Sequence, residues 1–353
     1  AAQILAAHTA AGKPLHITGA DVPPGGEKTM LSTARWRGIR TLDLDDRYVV
    51  VEAGTPLMDL QQELAGQGVM VPVVSPWPAA TLGGVFSTGL NAPLRLSYGA
   101  LRDVVLALEV ILPDGRRIRT GRPVMKNVAG YDLTRLFVGA RGSLGLIAAL
   151  TLALKPRPRR CLTLSAPVTD LRAALSAGFG LGRNLLTATS ILVAKNLELN
   201  GSSADTLICT LEGLDEDVAA DVSALQQILP GLAWIEQPRT GSQLWADWID
   251  QAWQAGPPLA RLGVPISALT DLIARTGNQL GPAWLADVGC GQLYAAPSDA
   301  RTCRAQAESL AGFLSWVDAP GQVGETRRQG VADRMDQLKT LLDPGGILPP
   351  FTR

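Results

Sequence analysis

The chain has 353 residues, enough for two or three domains of ordinary size, and its 32 basic and 32 acidic residues cancel to zero net charge. No polybasic patch is present, which argues against nucleic acid or an anionic membrane as a direct partner. Apolar residues make up 46% and charged residues 18%, a balance that predicts extensive burial, a subunit interface included.

Residues 1–11 read as an Ala/Leu helix ended by Gly12 and Pro14, and Leu15 to Thr18 as a short strand running into Gly19-Ala20-Asp21. Thr41 to Leu44 and Tyr48 to Gly54 are strand-like, with Asp45-Asp46 in the turn between them. Thr55-Pro56 opens a helix whose Leu57, Leu60 and Leu64 sit at helical spacing before Gly66 and Gly68 end it. Val104 to Leu112 and Arg116 to Thr120 flank the turn signal Pro113-Asp114-Gly115. Asp132 to Phe137 reads as one or two helical turns, with Asp132 as its cap. Leu144 to Leu154 is the longest apolar run, read as a buried strand and too short to span a bilayer. Lys155-Pro156-Arg157-Pro158-Arg159-Arg160 reads as a domain boundary.

Beyond it, short strands alternate with Ala/Leu helices in an α+β pattern. Thr163–Ser165 precedes a helix over Leu171–Ala177, and Thr206–Leu211 precedes one over Asp217–Leu229. Trp245, Trp248, Ile249, Ala252 and Trp253 repeat at helical spacing and define one apolar face, read as core, with a partner contact as the minority reading. Glu325 to Leu342 is a charged helix ending at Asp343-Pro344-Gly345-Gly346. The domains expected are 1–158, 159–320 and a C-terminal helix over 321–353 that returns to the first.

Cys161, Cys209, Cys290 and Cys303 lack the spacing of a zinc or iron–sulfur site, so no metal site is expected and a reducing compartment fits. No secretory leader is visible. The two histidines, His8 and His16, both lie near the N-terminus.

The most informative stretch runs from Thr81 to Gly145. It contains Thr81-Leu82-Gly83-Gly84, Ser97-Tyr98-Gly99, Lys126-Asn127-Val128-Ala129-Gly130-Tyr131-Asp132-Leu133 and Gly142-Ser143-Leu144-Gly145. Glycines spaced irregularly between apolar strands let the backbone approach one extended polar ligand. A Rossmann fingerprint must follow a strand and open a helix, whereas the loop at Gly139–Gly145 follows a helix and opens a strand, so that reading fails.

In this order the motifs resemble the vanillyl-alcohol oxidase superfamily of FAD-linked oxidases, with its PCMH-type FAD domain. The length and Lys126–Leu133 look most like the FAD-binding subunits of glycolate oxidases. The resemblance covers about residues 1–158 and the last ten or so. It implies an α+β protein: a PCMH-type FAD-binding domain of two α/β subdomains, plus an α+β cap domain. It implies FAD held by Thr18, Gly19, Ala20 and Asp21 at the pyrophosphate loop. Pro76, Thr81, Leu82, Gly83, Gly84, Ser87 and Gly89 would line the ring and pyrophosphate, and Gly142, Gly145 and Ile147 the adenosine. Ala20 and Asp21 depart from the more glycine-rich family loop, and Pro349-Pro350-Phe351 from its usual ending.

Hydroxy-acid-oxidising relatives carry a cap motif resembling H-x-G-D-G-N-x-H. The comparable stretch is Leu285-Ala286-Asp287-Val288-Gly289-Cys290-Gly291-Gln292-Leu293-Tyr294, which keeps the glycines and lacks the histidines. No catalytic residue is therefore assigned. The resemblance implies an FAD-binding subunit of a glycolate/D-lactate oxidising complex that relays electrons or supports assembly. Its partners would be a histidine-bearing catalytic flavin subunit and an iron–sulfur subunit. Its location would be cytoplasmic, at most peripheral to the inner face of a membrane through that complex. A self-sufficient FAD oxidase and a structural subunit with a degenerate pocket remain open at this point.

Overall fold

The computed structural model describes residues 1–19, 29–122, 132–199, 201–256, 258–317 and 329–350. Contacts divide the chain into two units. The first comprises Ala1–Asn91, Gly99–Arg157 and Arg328–Phe351, and the second Ala92–Tyr98, Pro158–Arg327 and Thr352–Arg353.

The first unit is built on a five-stranded antiparallel sheet in the spatial order Ile39–Asp43, Tyr48–Glu52, Leu146–Ala153, Val105–Ile111, Arg117–Gly121. Alternation sets the faces: in Tyr48–Glu52 the side chains of Val49 and Val51 are fully buried while Tyr48, Val50 and Glu52 are half-buried. On one face Val49, Val51, Leu108, Val110, Leu150 and Leu152 meet Leu57, Leu60 and Leu64 of the helix Leu57–Ala65. On the other, Ile111 and Leu146 join Leu5, Leu15, Ile347 and Leu348 in a smaller core. That core ties together the helix Ala2–Ala11, the parallel pair His16–Thr18 and Met30–Ser32, and the C-terminal residues.

Asp343 fastens this C-terminal turn. Its carboxylate accepts from the N–H groups of Ile347 (3.1 Å) and Leu348 (2.9 Å) and from Lys339 Nζ (2.5 Å). Lys339 also donates to the carbonyls of Ser143 (2.7 Å) and Leu348 (3.1 Å).

The second unit carries an eight-stranded antiparallel sheet. Its order is Ile235–Gln237, Arg160–Pro167, Ser202–Gly213, Ala188–Leu199, Trp284–Asp287, Gln292–Ala295, Ala260–Gly263, Phe313–Trp316. Helices Leu171–Asn184, Asp215–Ile228, Leu269–Thr276 and Ala300–Ser309 contribute Leu175, Leu181, Val218, Leu225, Leu272 and Cys303 to its core. On the helix Gly241–Gln254, Trp245 and Ile249 are fully buried while Trp253 is exposed, so the tryptophan face is mostly core.

Thr81–Gly84 opens the helix Leu82–Thr88, because Thr81 Oγ1 caps it by accepting from the Gly84 N–H (3.4 Å). One local reading differs from the structure. Asp132 does not cap the turn Thr134–Phe137: that position belongs to Leu133, and Asp132 instead bonds Arg135 Nε at 2.8 Å.

Candidate functional site

Four glycine-bearing segments, far apart in sequence, come together within the first unit. A Cβ added at Gly19, just after the first strand, would overlap Thr81 Oγ1. Gly89 ends the helix Leu82–Thr88 with φ +70°, and a Cβ there would lie 2.7 Å from the Gly139 Cα. Backbone hydrogen bonds join the same segments: Gly139 N–H to the Phe86 carbonyl at 2.9 Å, and Arg141 N–H to the Ser87 carbonyl at 2.8 Å. Gly142, at φ +74°, stands opposite Ile17 of the first strand. Thr18, Gly19, Thr81, Gly84, Ser87, Gly89 and Gly142 thus belong to one contiguous region whose width only glycine permits at Gly19 and Gly89.

The remaining expected residues sit differently. Gly83 packs on the end of a strand, its N–H bonded to the Ala53 carbonyl at 2.7 Å and its Cα face closed by Ala53. A Cβ at Gly145 would meet Val110 Cγ1 at 2.8 Å. Leu82 and Ile147 are core residues, 0% and 6% exposed. Pro76 is buried beside Trp77, whose indole N–H is also buried and has no partner. Ala20 and Asp21, and Lys126 to Tyr131, lie outside the described residues.

This geometry fits an elongated, anionic, nucleotide-like cofactor. Close backbone approach of several segments, with glycine at Gly19 and Gly89, is what such a cofactor calls for. Among the described residues, no group of three or more His, Cys, Asp or Glu side chains can hold a metal ion, and no helix is long and apolar enough to cross a membrane.

A separate cavity of about 350 Å³ lies on the sheet of the same unit, lined by Trp36, Arg40, Glu52, Glu109, Arg119 and Ala148 among others. Arg40 is engaged across it with Glu52 and Glu109, each at 2.7 Å. Its charge is therefore already met.

In the second unit the stretch 285–294 forms the hairpin between Trp284–Asp287 and Gln292–Ala295. Asp287 is 1% exposed. Its carboxyl accepts from the Cys290 thiol and from the N–H groups of Gly289 and Cys290, yet Oδ1 has no partner. Burial dominates and pushes this carboxyl up to about 7, against the charge of Arg95. Sequence reasoning registered the missing histidines here and overlooked the acid, because only burial makes Asp287 unusual. On the strand Ser202–Gly213, Glu212 accepts from the Tyr98 hydroxyl at 3.0 Å, and burial pushes both groups up, toward their protonated forms.

Comparison with known proteins agrees with the first unit's geometry. Residues 2–121 match the FAD binding domain family. The chain is 28% identical to the mitochondrial D-lactate dehydrogenase [cytochrome] of Arabidopsis thaliana, over 93% of this chain and 65% of that protein. It is 39% identical to the glycolate oxidase subunit GlcE of Escherichia coli (strain K12), over 40% of each chain. It is 34% identical to the subunit GlcD of Bacillus subtilis (strain 168), over 46% of this chain and 35% of that one. It therefore spans less than two thirds of the length of each of these relatives. A solved alkyldihydroxyacetonephosphate synthase superposes with a TM-score of 0.70 at 15% identity, over 98% of this chain and 73% of that one, which establishes a shared fold.

Proposed function

We propose, on the premise that the chain has the PCMH-type FAD-linked oxidase fold and carries an FAD binding domain over residues 2–121, that it serves FAD-dependent oxidation of a 2-hydroxy acid. Its role there is that of an FAD-binding subunit, relaying electrons or supporting assembly. Relatives named D-lactate dehydrogenase and glycolate oxidase subunit support the substrate class, and the subunit names support a multi-subunit complex. Within it, this chain would adjoin a catalytic flavin subunit and an iron–sulfur subunit.

The observation that carries the cofactor assignment is the convergence of Gly19, Thr81, Gly89 and Gly142. When bound, FAD supplies a two-electron acceptor. The backbone at Thr18–Gly19 would border its pyrophosphate, and that at Gly142 its adenosine half. Thr81 would hold the register of the two loops through its contact with Gly19. Pro76, Gly84, Ser87 and Gly89 would border the ring-bearing half. Leu82, Gly83, Gly145 and Ile147 would act from behind, fixing the segments that make contact.

The subunit role rests on the hairpin at 285–294. Taking a hydroxyl proton calls for a base near neutrality that a substrate can reach, most often histidine, and Asp287, the raised acid of this hairpin, is only 1% exposed. Neither histidine of the chain lies in this hairpin, and His8 Nδ1 is already bonded to the Lys13 carbonyl at 3.0 Å.

The test is to express the full chain by itself, record its visible spectrum and add glycolate or D-lactate. Flavin bands that persist without bleaching are expected. Bleaching by either acid would overturn the relay role in favour of a self-sufficient oxidase. A folded but colourless protein would overturn FAD binding.

A further inference from the structure

Residues 92–98 belong to the second unit, although the chain on both sides of them, at Asn91 and Gly99, belongs to the first. Four contacts root this excursion. The Leu94 N–H donates to Ser242 Oγ at 3.1 Å in a buried position, and the Tyr98 hydroxyl donates to Glu212 Oε2 at 3.0 Å. Leu96 closes over Gly289, where an added Cβ would lie 2.9 Å from its Cδ2. Arg95 acts by its charge on Asp287, two residues before Gly289 in the hairpin.

A dry carboxyl with one oxygen unpartnered is costly to ionise in place. In the folded second unit Asp287 keeps its proton up to about pH 7. Any opening that wets Asp287 restores an ordinary carboxylate and releases that proton, so opening and ionisation are thermodynamically linked.

We propose that residues 92–98 form a strap against the Asp287–Gly291 turn that is loosened as Asp287 ionises. The inference stands on the second unit alone and does not depend on the activity proposed above. The charged and titratable groups around Asp287 are few. The turn supplies Cys290, whose thiol burial holds protonated, and the strap supplies Arg95. The paired strand supplies Tyr294, pushed up first by burial and opposed by Arg261 on the strand beyond. On the other side Leu192 pairs with Asp287, and the nearest charged residue in that register is Lys195, opposite Trp284. The helix Leu171–Asn184 presents Gly178 to Val288. Glu212, Tyr98 and Cys161 sit together at the Tyr98 end of the strap.

Amide hydrogen exchange on the full, FAD-loaded chain tests this. After correction for intrinsic chemical exchange, opening of the strap amides is expected to rise by up to about tenfold per pH unit, levelling off near pH 7. Asp287→Asn should give a flat profile. Arg95→Met should extend the rise to higher pH, because the Arg95 charge favours ionisation. Glu212→Gln should leave the wild-type profile in place. A flat wild-type profile overturns the proposal, as does a wild-type profile in Asp287→Asn or its loss in Glu212→Gln. If Asp287→Asn does not fold, a profile unshifted in Arg95→Met overturns it equally.

Discussion

Gly19 and Thr81, 62 positions apart in the sequence, face one another so closely that a Cβ on the glycine would lie 2.0 Å from the threonine hydroxyl oxygen. The end of the first strand and the start of the helix Leu82–Thr88 therefore share one small volume. Gly19→Ala should force the two loops apart, at a stability cost of about 1–3 kcal/mol. Flavin content per folded chain, read from the visible spectrum, should fall with it. Adding Thr81→Ala removes the overlapping oxygen and should restore part of the flavin. No recovery in the double variant would mean that the Gly19 contact is not what limits binding.

Gly83 and Gly84 are neighbours with different surroundings. A Cβ at Gly83 would press on Ala53 at 3.0 Å, touching both its carbonyl oxygen and its Cβ, whereas one at Gly84 meets only Thr81 Oγ1 at 3.4 Å. Gly83→Val should lower the melting temperature and eject FAD together. Gly84→Ala should leave the melting temperature of the flavin-free protein nearly unchanged. Equal melting temperatures for the two variants would contradict the packing assigned to Gly83.

Asp343 has no exposed side-chain surface, and it neutralises Lys339 while holding two backbone N–H groups. Asp343→Ala strands a largely buried ammonium, and breaking such a pair typically costs about 3–5 kcal/mol. Denaturant unfolding should show a loss of that order. The Lys339→Met, Asp343→Asn double variant should be less damaged than Asp343→Ala, because no ammonium is left behind.

The raised Asp287 carboxyl makes global stability depend on pH. Folded, it holds its proton up to about 7; unfolded, it releases it near its ordinary 3.8. Between those values the folded chain binds more protons, so this group's contribution falls as pH rises and is constant above 7. Asp114 and Asp299 are shifted the opposite way, downward, and change stability only below that window. Denaturant midpoints measured from about pH 4.5 to about pH 8 should decline less steeply in Asp287→Asn than in wild type.

Much of the first unit was legible in the sequence. Val49 and Val51 alternate with half-buried neighbours, and Leu57, Leu60 and Leu64 keep a helical period, so each element announces the face it buries. The glycine motifs pointed to the cofactor family because their order along the chain carries information that no single glycine does. What stayed hidden was set by tertiary contact. Gly83 and Gly84 look like loop residues, but their helix forms because Thr81 caps it and Ala53 backs it. Asp287 looks like any aspartate, and only folding of the second unit buries it with Oδ1 left unpartnered. The eight-stranded order, with Ala188–Leu199 beside Trp284–Asp287, joins segments almost a hundred residues apart that no local pattern links.

The chain enters the second unit at Ala92, leaves it after Tyr98 and returns at Pro158. Neither unit can therefore be excised as one uninterrupted stretch. A fragment beginning at Pro158 would lack Leu96 over Gly289, the Leu94 link to Ser242 and the phenol against Glu212. Residues 1–157 alone would leave those seven residues with no seat. Cleavage at Pro158 therefore gives two incomplete pieces, with seven residues of the second unit carried on the N-terminal piece.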